Sequence, residues 1–217
     1  MEPIISINQA LVLEEFRKNS KLINNFYFTG GTALANYYFH HRYSVDLDFF
    51  SDKPFGLTTA IDILNQWSKK LDFTYKLRTI EDITHIFNLT FDDNSVLKVD
   101  FAYYPYKRLE KGVNDKGIEI DSLKDIATNK LISIIQRSEV KDFVDLYFLL
   151  QRYTVWDLIY AVETKFHMEL DILFISANFE KVQDFEFLPR MILPLTIPTL
   201  KEFFKQQAKK LSSKVIE

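Results

Sequence analysis

Apolar residues in the first hundred positions change their spacing several times, and each change marks an element. Leu11, Leu13 and Phe16 give residues 7–18 a loose helical face. Asn24-Asn25 then leads into a short apolar run over 26–29, which reads as a buried strand. A helix over 32–39 is predicted next, closed by His40-His41-Arg42, and after it a strand over 45–50. The loop-forming stretch Ser51-Asp52-Lys53-Pro54-Phe55-Gly56 precedes a helix over 58–70, with Ile61, Leu64 and Trp67 on one face. Residues 73–77 alternate with period two. Residues 83–91 and 96–101 form two further strands around the hairpin loop Asp92-Asp93-Asn94-Ser95.

Beyond residue 121 the period shifts from two to 3.6. Ser122 with Asp125 reads as a capping box for a helix to about 137, a second helix covers 141–151, and Thr154 with Asp157 caps a third to about 167. A weaker helix covers 170–179, and Pro189, Pro194 and Pro198 break up the stretch after it. The terminal helix, 200–211, carries Leu200, Phe203, Phe204 and Leu211 on one side. Lys201, Lys205 and Lys209 lie on another, a stripe that reads as a solvated face, with an RNA-facing surface as the alternative. The pattern therefore divides into a mixed core over residues 1–107, a charged, turn-rich linker over 108–121 and a helical domain over 122–217.

Composition narrows the class. Hydrophobic and charged fractions of 47% and 26% are those of a soluble globular protein, and 20 Phe with 11 Tyr promise an aromatic core. A net charge of −3 argues against broad nonspecific nucleic-acid binding, while leaving a local basic groove open. There is no cysteine, which excludes disulfides and thiolate metal sites and fits a reducing cytosol. No charged-then-apolar leader layout opens the chain and no apolar segment approaches 18 residues, so a cytoplasmic location without membrane contact is expected.

The chemistry concentrates in residues 29–50, TGGTALANYYFHHRYSVDLDFF. Gly30-Gly31 at the end of a strand permits a tight turn and close approach of backbone to a ligand. Thr32 stands at the start of the following helix, where its hydroxyl and the free N–H groups suit an anion. Asp46 and Asp48 flank Leu47 in a strand, so both carboxylates share a face, roughly 7 Å apart at Cα. Two like charges there repel, an objection that a pair of divalent cations removes; hard oxygen ligands suit Mg²⁺. The bland alternative is two solvated aspartates on an edge strand. Asp100, an isolated acid in an aromatic strand, supplies a third carboxylate able to ligate metal and to help deprotonate an attacking hydroxyl. In the helical half, Lys130 sits among Ile and Leu, either snorkelling at a helix margin or reaching phosphates as a point charge. Asp142 and Asp145, at i and i+3, are expected to pair with Arg137 or Lys130 and fix the angle between helices, Asp145 being the one nearer the cleft. The four histidines show no zinc-ligand spacing, and neither a P-loop, a nucleophile elbow nor a dinucleotide fingerprint is present.

The ordered set Thr29-Gly30-Gly31-Thr32-Ala33-Leu34, Arg42-x-Ser44-x-Asp46-Leu47-Asp48-Phe49, Val99-Asp100-Phe101, Ala127-x-x-Lys130 and Lys141-Asp142-x-x-Asp145-Leu146 resembles the polymerase-β-like nucleotidyltransferase superfamily. More closely, it resembles the AbiEii/AbiGii toxin family. The resemblance covers roughly residues 25–151 and implies an α+β fold, a polymerase-β-like core of mixed sheet flanked by helices followed by a C-terminal helical bundle. It implies that Asp46, Asp48 and Asp100 hold two Mg²⁺ and carry catalysis. It also implies that Gly30, Gly31, Thr32, Arg42, Ser44, Lys130 and Asp145 bind substrate. The implied reaction is in-line attack of an acceptor hydroxyl on the α-phosphorus of an NTP, the acceptor an RNA, tRNA above all, with a cognate antitoxin as partner. Two departures stand out: Gly30-Gly31-Thr32 replaces the commoner Gly-Ser, and Lys141 stands where Arg is frequent, which leaves Lys141 outside the expected site. A protein or small-molecule acceptor such as an aminoglycoside, and a non-catalytic nucleotide-binding module, are the competing readings.

Overall fold

The computed structural model describes residues 3–81 and 84–213. Ile83, expected to open a strand, lies outside them. The chain forms two compact units, the first from 1–37, 44–107 and 111–121, the second from 38–43, 108–110 and 122–217.

The first unit is built on a seven-stranded sheet of order β3-β4-β5-β2-β1-β7-β6. Strand β2 (Asp46–Ser51) lies at its centre, antiparallel to β1 (Tyr27–Thr29) and parallel to β5 (Val96–Tyr103). Outward from β5, β4 (Thr84–Phe91) and β3 (Phe73–Glu81) add as antiparallel neighbours. Beyond β1 come β7 (Ile118–Ile120), parallel to it, and β6 (Val113–Asp115), antiparallel to β7. Residues 113–120, within the stretch expected to be linker, thus complete the sheet. Their pairing is tertiary: Ile120 takes its place beside Phe28, a register that no local sequence signal announces.

Burial along β2 alternates strictly. Leu47, Phe49 and Ser51 are buried while Asp46, Asp48 and Phe50 are half-buried. Helices α1 (Ile7–Arg17) and α4 (Leu57–Leu71) cover the Phe49 face. Phe16 of α1 stacks on Phe49 at 4.3 Å between centroids, and Trp67 of α4 meets Phe101 at 6.2 Å. Phe49 and Phe101 lie 5.5 Å apart. Each of these rings buries on the order of 150–250 Å². That cluster fixes the register of β2, because a slip by one residue would put Asp46 and Asp48 into the aromatic core. A four-residue helix, α2 (Ser20–Ile23), leads into β1. Helix α3 (Gly30–Leu34) follows β1 and continues as a single π-helical turn, Ala35–Phe39.

The second unit is helical, with α5 (Leu123–Gln136), α6 (Val140–Leu149), α7 (Val155–Phe166), α8 (Ile172–Glu180) and α9 (Ile197–Ser213). The Thr154–Asp157 capping box opens α7 as expected. At α5 the Ser122 hydroxyl accepts from the Asp125 N–H, and the Asp125 carboxylate accepts from Lys165, a fully buried pair at 2.7 Å. Phe143, Phe179 and Phe204 are fully buried in its core, Phe204 lying 5.1 Å from Phe143 and 5.2 Å from Phe179 between centroids, and the half-buried Phe185 packs on Phe143 at 5.1 Å. Residues 41–43 run antiparallel to 190–193, with the Tyr43 N–H donating to the Arg190 carbonyl at 2.9 Å and the Ile192 N–H to that of His41 at 2.8 Å. On α9, Lys205 and Lys209 are exposed and the Lys201 ammonium donates to the Gln183 carbonyl. Among the described residues no helix is long and apolar enough to cross a membrane.

Candidate active site

Because Phe49 and Phe101 are pinned on one face of the sheet, the alternate residues of β2 and β5 share the other. The parallel register sets Asp46 beside Lys98 and Asp48 beside Asp100. On the far side of β5, Ile86 lies beside Asp100, and across β1, Thr29 lies beside Asp48. Three carboxylates and one ammonium therefore share a patch two residues deep on adjoining strands. The Lys98 Nζ is 2.8 Å from Asp100 Oδ2 and 3.5 Å from Asp46 Oδ2. Asp100 is 9% exposed, and its Oδ1 is buried without a hydrogen-bond partner. Burial and the like charge of Asp48 push its carboxyl up to about 7, against the pull of Lys98. The Lys98 ammonium, opposed by burial, is raised by Asp100, Asp48 and Asp46.

Gly30 closes the patch from the β1 side. Its φ of +76° is a left-handed conformation, and a Cβ placed there would lie 2.0 Å from Asp48 Oδ2. The Asp48 carboxylate thus rests directly against the Gly30 backbone. Thr29, the N-cap of α3, makes no side-chain cap bond. Its hydroxyl donates instead to Asp121 Oδ2 at 2.8 Å. The first N–H groups of α3 are thereby left without a side-chain acceptor from the N-cap. Thr32 is fully buried. Its hydroxyl donates to the Asp46 carbonyl and lies 2.8 Å from Ser44 Oγ, which ties α3 to the start of β2. Gln9 of α1 steadies the same point, donating from Nε2 to the Ser44 carbonyl at 3.0 Å.

Gly30, Gly31, Thr32, Ser44, Asp46, Asp48 and Asp100 are thus collected in the first unit. Arg42, Lys130 and Asp145 are collected in the second, where they bond to one another. Asp145 accepts from Arg42 Nε at 2.6 Å and Nη2 at 2.8 Å, from His41 Nε2 at 2.8 Å and from Lys130 Nζ at 2.6 Å. Lys130 also reaches Asp142 at 2.7 Å, as does Arg137 Nε. The pairing of Asp142 with both Arg137 and Lys130 is the helix-to-helix tie expected from the i, i+3 spacing. Burial alone would raise Asp145, but Arg42 and Lys130 outweigh it and hold the carboxyl well below the usual range.

Two polar residues of the first unit, Lys98 beside Asp100 and Asp121 beside Thr29, carry no motif in the sequence that marks them. The alternation Lys98-Val99-Asp100 already places the lysine on the face of the acid. The run Ile118-Glu119-Ile120-Asp121 is a short strand pattern, disguised by the charged residues before it.

The donor set is all hard oxygen and includes a buried carboxylate oxygen without a partner, a chemistry that fits a divalent cation. As the side chains stand, no three His, Asp or Glu groups among the described residues converge into a metal cluster.

Residues 11–212 match the family described as nucleotidyl transferase AbiEii toxin, type IV toxin–antitoxin system. The chain belongs to that family. An uncharacterized protein of Aquifex aeolicus, aq_aa25, is 37% identical over 141 residues, a match spanning 63% of either chain. Among solved structures, a candidate nucleotidyltransferase from H. pylori superposes with a TM-score of 0.65 at 18% identity, covering 96% of this chain and 95% of that one. JHP933 from Helicobacter pylori gives 0.61 at 21% identity, covering 99% and 96%. At these identities the likeness shows the fold: the mixed sheet flanked by helices and the helical bundle after it.

Proposed function

We propose that this AbiEii-family chain is a metal-dependent nucleotidyltransferase that moves a nucleotide from an NTP to a hydroxyl of an RNA acceptor, tRNA first among the candidates, acting as a toxin in the cytoplasm. The observation that carries the reading is the Asp48–Asp100 pair on adjoining central strands, with the Gly30 backbone against the Asp48 carboxylate. Asp46, Asp48 and Asp100 would hold two Mg²⁺, which when bound neutralise phosphate charge and acidify the acceptor hydroxyl. Gly30 and Gly31 give the triphosphate side-chain-free backbone to approach, and Ser44 with Thr32 fixes the entry to β2. The Asp100 carboxylate accepts the hydroxyl proton as the new bond from acceptor oxygen to α-phosphorus forms and that to pyrophosphate breaks. Lys130, Arg42 and Asp145 satisfy each other's charges within the helical unit.

The test is incubation of the purified protein with Mg²⁺, each α-labelled NTP, total RNA and cell protein, with Asp48→Ala in parallel. Label on a tRNA-sized band, absent with the variant, is expected. The modest acidity of the chain favours a non-RNA acceptor, and label on protein would establish that second reading. Equal labelling by Asp48→Ala would overturn the catalytic role of the carboxylates.

A further inference from the structure

Lys98 is the one group of the patch that two-metal chemistry does not use. It stands on β5 directly beside Asp46 of β2 and two residues before Asp100 on the same face. Its ammonium lies between the two carboxylates, 2.8 Å from one and 3.5 Å from the other. That is where a cation shared by Asp46 and Asp100 has to be, and the three acids are not themselves converged into a metal cluster. An ammonium and a divalent ion cannot share that space, since like charges a few ångströms apart repel strongly where water is sparse. The lysine has a route out: its side chain is 27% exposed and its four-carbon stem rotates freely.

We propose that Lys98 is an internal counter-cation that occupies the Asp46–Asp100 position and must be displaced by metal, so that it sets the metal concentration at which the site loads. The inference rests on the metal role proposed above for Asp46, Asp48 and Asp100. Lys98 offsets part of the acids' charge and bridges β2 and β5 until a divalent ion arrives, and the cost of moving it is subtracted from metal affinity. It is a positioning residue; nothing in the reaction passes through it.

The experiment is titration of the full chain with Mn²⁺ in the absence of nucleotide, reading free Mn²⁺ by its electron paramagnetic resonance signal. Wild type, Lys98→Met, Lys98→Arg and Asp48→Asn are compared, each checked by thermal melting, with Lys98→Gln replacing the Met variant if that one does not fold. Removing the positive charge is expected to tighten Mn²⁺ binding at least about tenfold, while Lys98→Arg, which keeps the charge, stays within about threefold of wild type. A residue serving only the packing of β5 would weaken binding or leave it unchanged, and either result in the neutral variants overturns the inference alone. Absence of Mn²⁺ binding by every protein, wild type included, overturns the metal reading and the inference with it. Loss of binding in Asp48→Asn with the expected tightening in Lys98→Met supports both.

Discussion

Gly30 shows how much of a site one missing methyl group can decide. Two constraints act on the same atom: the φ of +76° disfavours any L side chain, and the Asp48 carboxylate fills the space where a Cβ would go. Gly30→Ala must therefore either move Asp48 or unwind the start of α3. The expected result is a loss of nucleotide transfer of at least about a hundredfold, with a destabilisation of only about 1–3 kcal/mol. Transfer kinetics and urea midpoints measure the two separately. Gly56→Ala is the matched control, because a Cβ there meets only Thr58 Oγ1 at 3.6 Å. It is expected to change stability by less than about 1 kcal/mol and to leave transfer intact. Equal damage from both substitutions would show that the close approach of Asp48 to the backbone is not what the site needs.

At the scale of elements, the helical unit is held by buried charge. Asp145 is the hub, fully buried and bonded to Arg42, His41 and Lys130. Asp145→Ala leaves two cations buried with too little compensation, and a loss of about 3–5 kcal/mol is expected in denaturant unfolding. The same cluster makes stability depend on pH. His41 is completely buried, with Phe39 and Phe148 against its ring, and the groups facing it are Asp145, Arg42 and Lys130. Its Nε2 bonds to Asp145 while Nδ1 is buried without a partner, the arrangement of a neutral ring. Burial lowers its pKa, more than Asp145 raises it. The unfolded chain then takes up a proton on His41 that the folded chain refuses, so stability falls as the pH drops below about 6.5. Asp142 and Asp145 have lowered carboxyls, so their contribution persists to about pH 4 and is lost below it. Melting temperature is expected to decline below pH 4; between pH 7 and 5 the His41 contribution falls while that of Asp100, whose carboxyl is raised to about 7, grows. The His41 decline is therefore read as the difference between wild type and His41→Gln, which keeps the Asp100 gain and only a remnant of the loss from His85, whose pKa burial also lowers. An unchanged slope in His41→Gln would mean that another group titrates there.

Across the whole molecule, what could be read from the sequence is what repeats with a local period. The alternation in β2 put both aspartates on one face because Leu47 and Phe49 demanded the other, and the helix caps at Ser122 and Thr154 stand where spacing put them. What could not be read depends on partners distant in sequence. Strands β6 and β7 are three residues each; β7 exists by pairing with β1 and β6 by pairing with β7, so their charged, turn-rich sequence reads as a linker. Arg42 reads as a helix terminator, and its carboxylate partner lies 103 residues away. That distant partner makes segment 38–43 part of the helical unit although it interrupts the sheet unit in sequence. A chain cut after Asp121 therefore lacks Asp145 and the segment 190–193 that hold Arg42, which in the full chain is 3% exposed. Trypsin is expected to cleave residues 1–121 after Arg42 at least about a hundredfold faster than it cleaves the full chain there, as local opening replaces a bonded segment. Arg17 provides the internal reference, since its partner Asp115 at 2.5 Å is retained in the shorter chain. Slow cleavage at Arg17 with fast cleavage at Arg42 would show an intact sheet carrying a loosened strap. Fast cleavage at both would show that the sheet itself needs the helical unit, and protection at both would show that 38–43 is ordered without it.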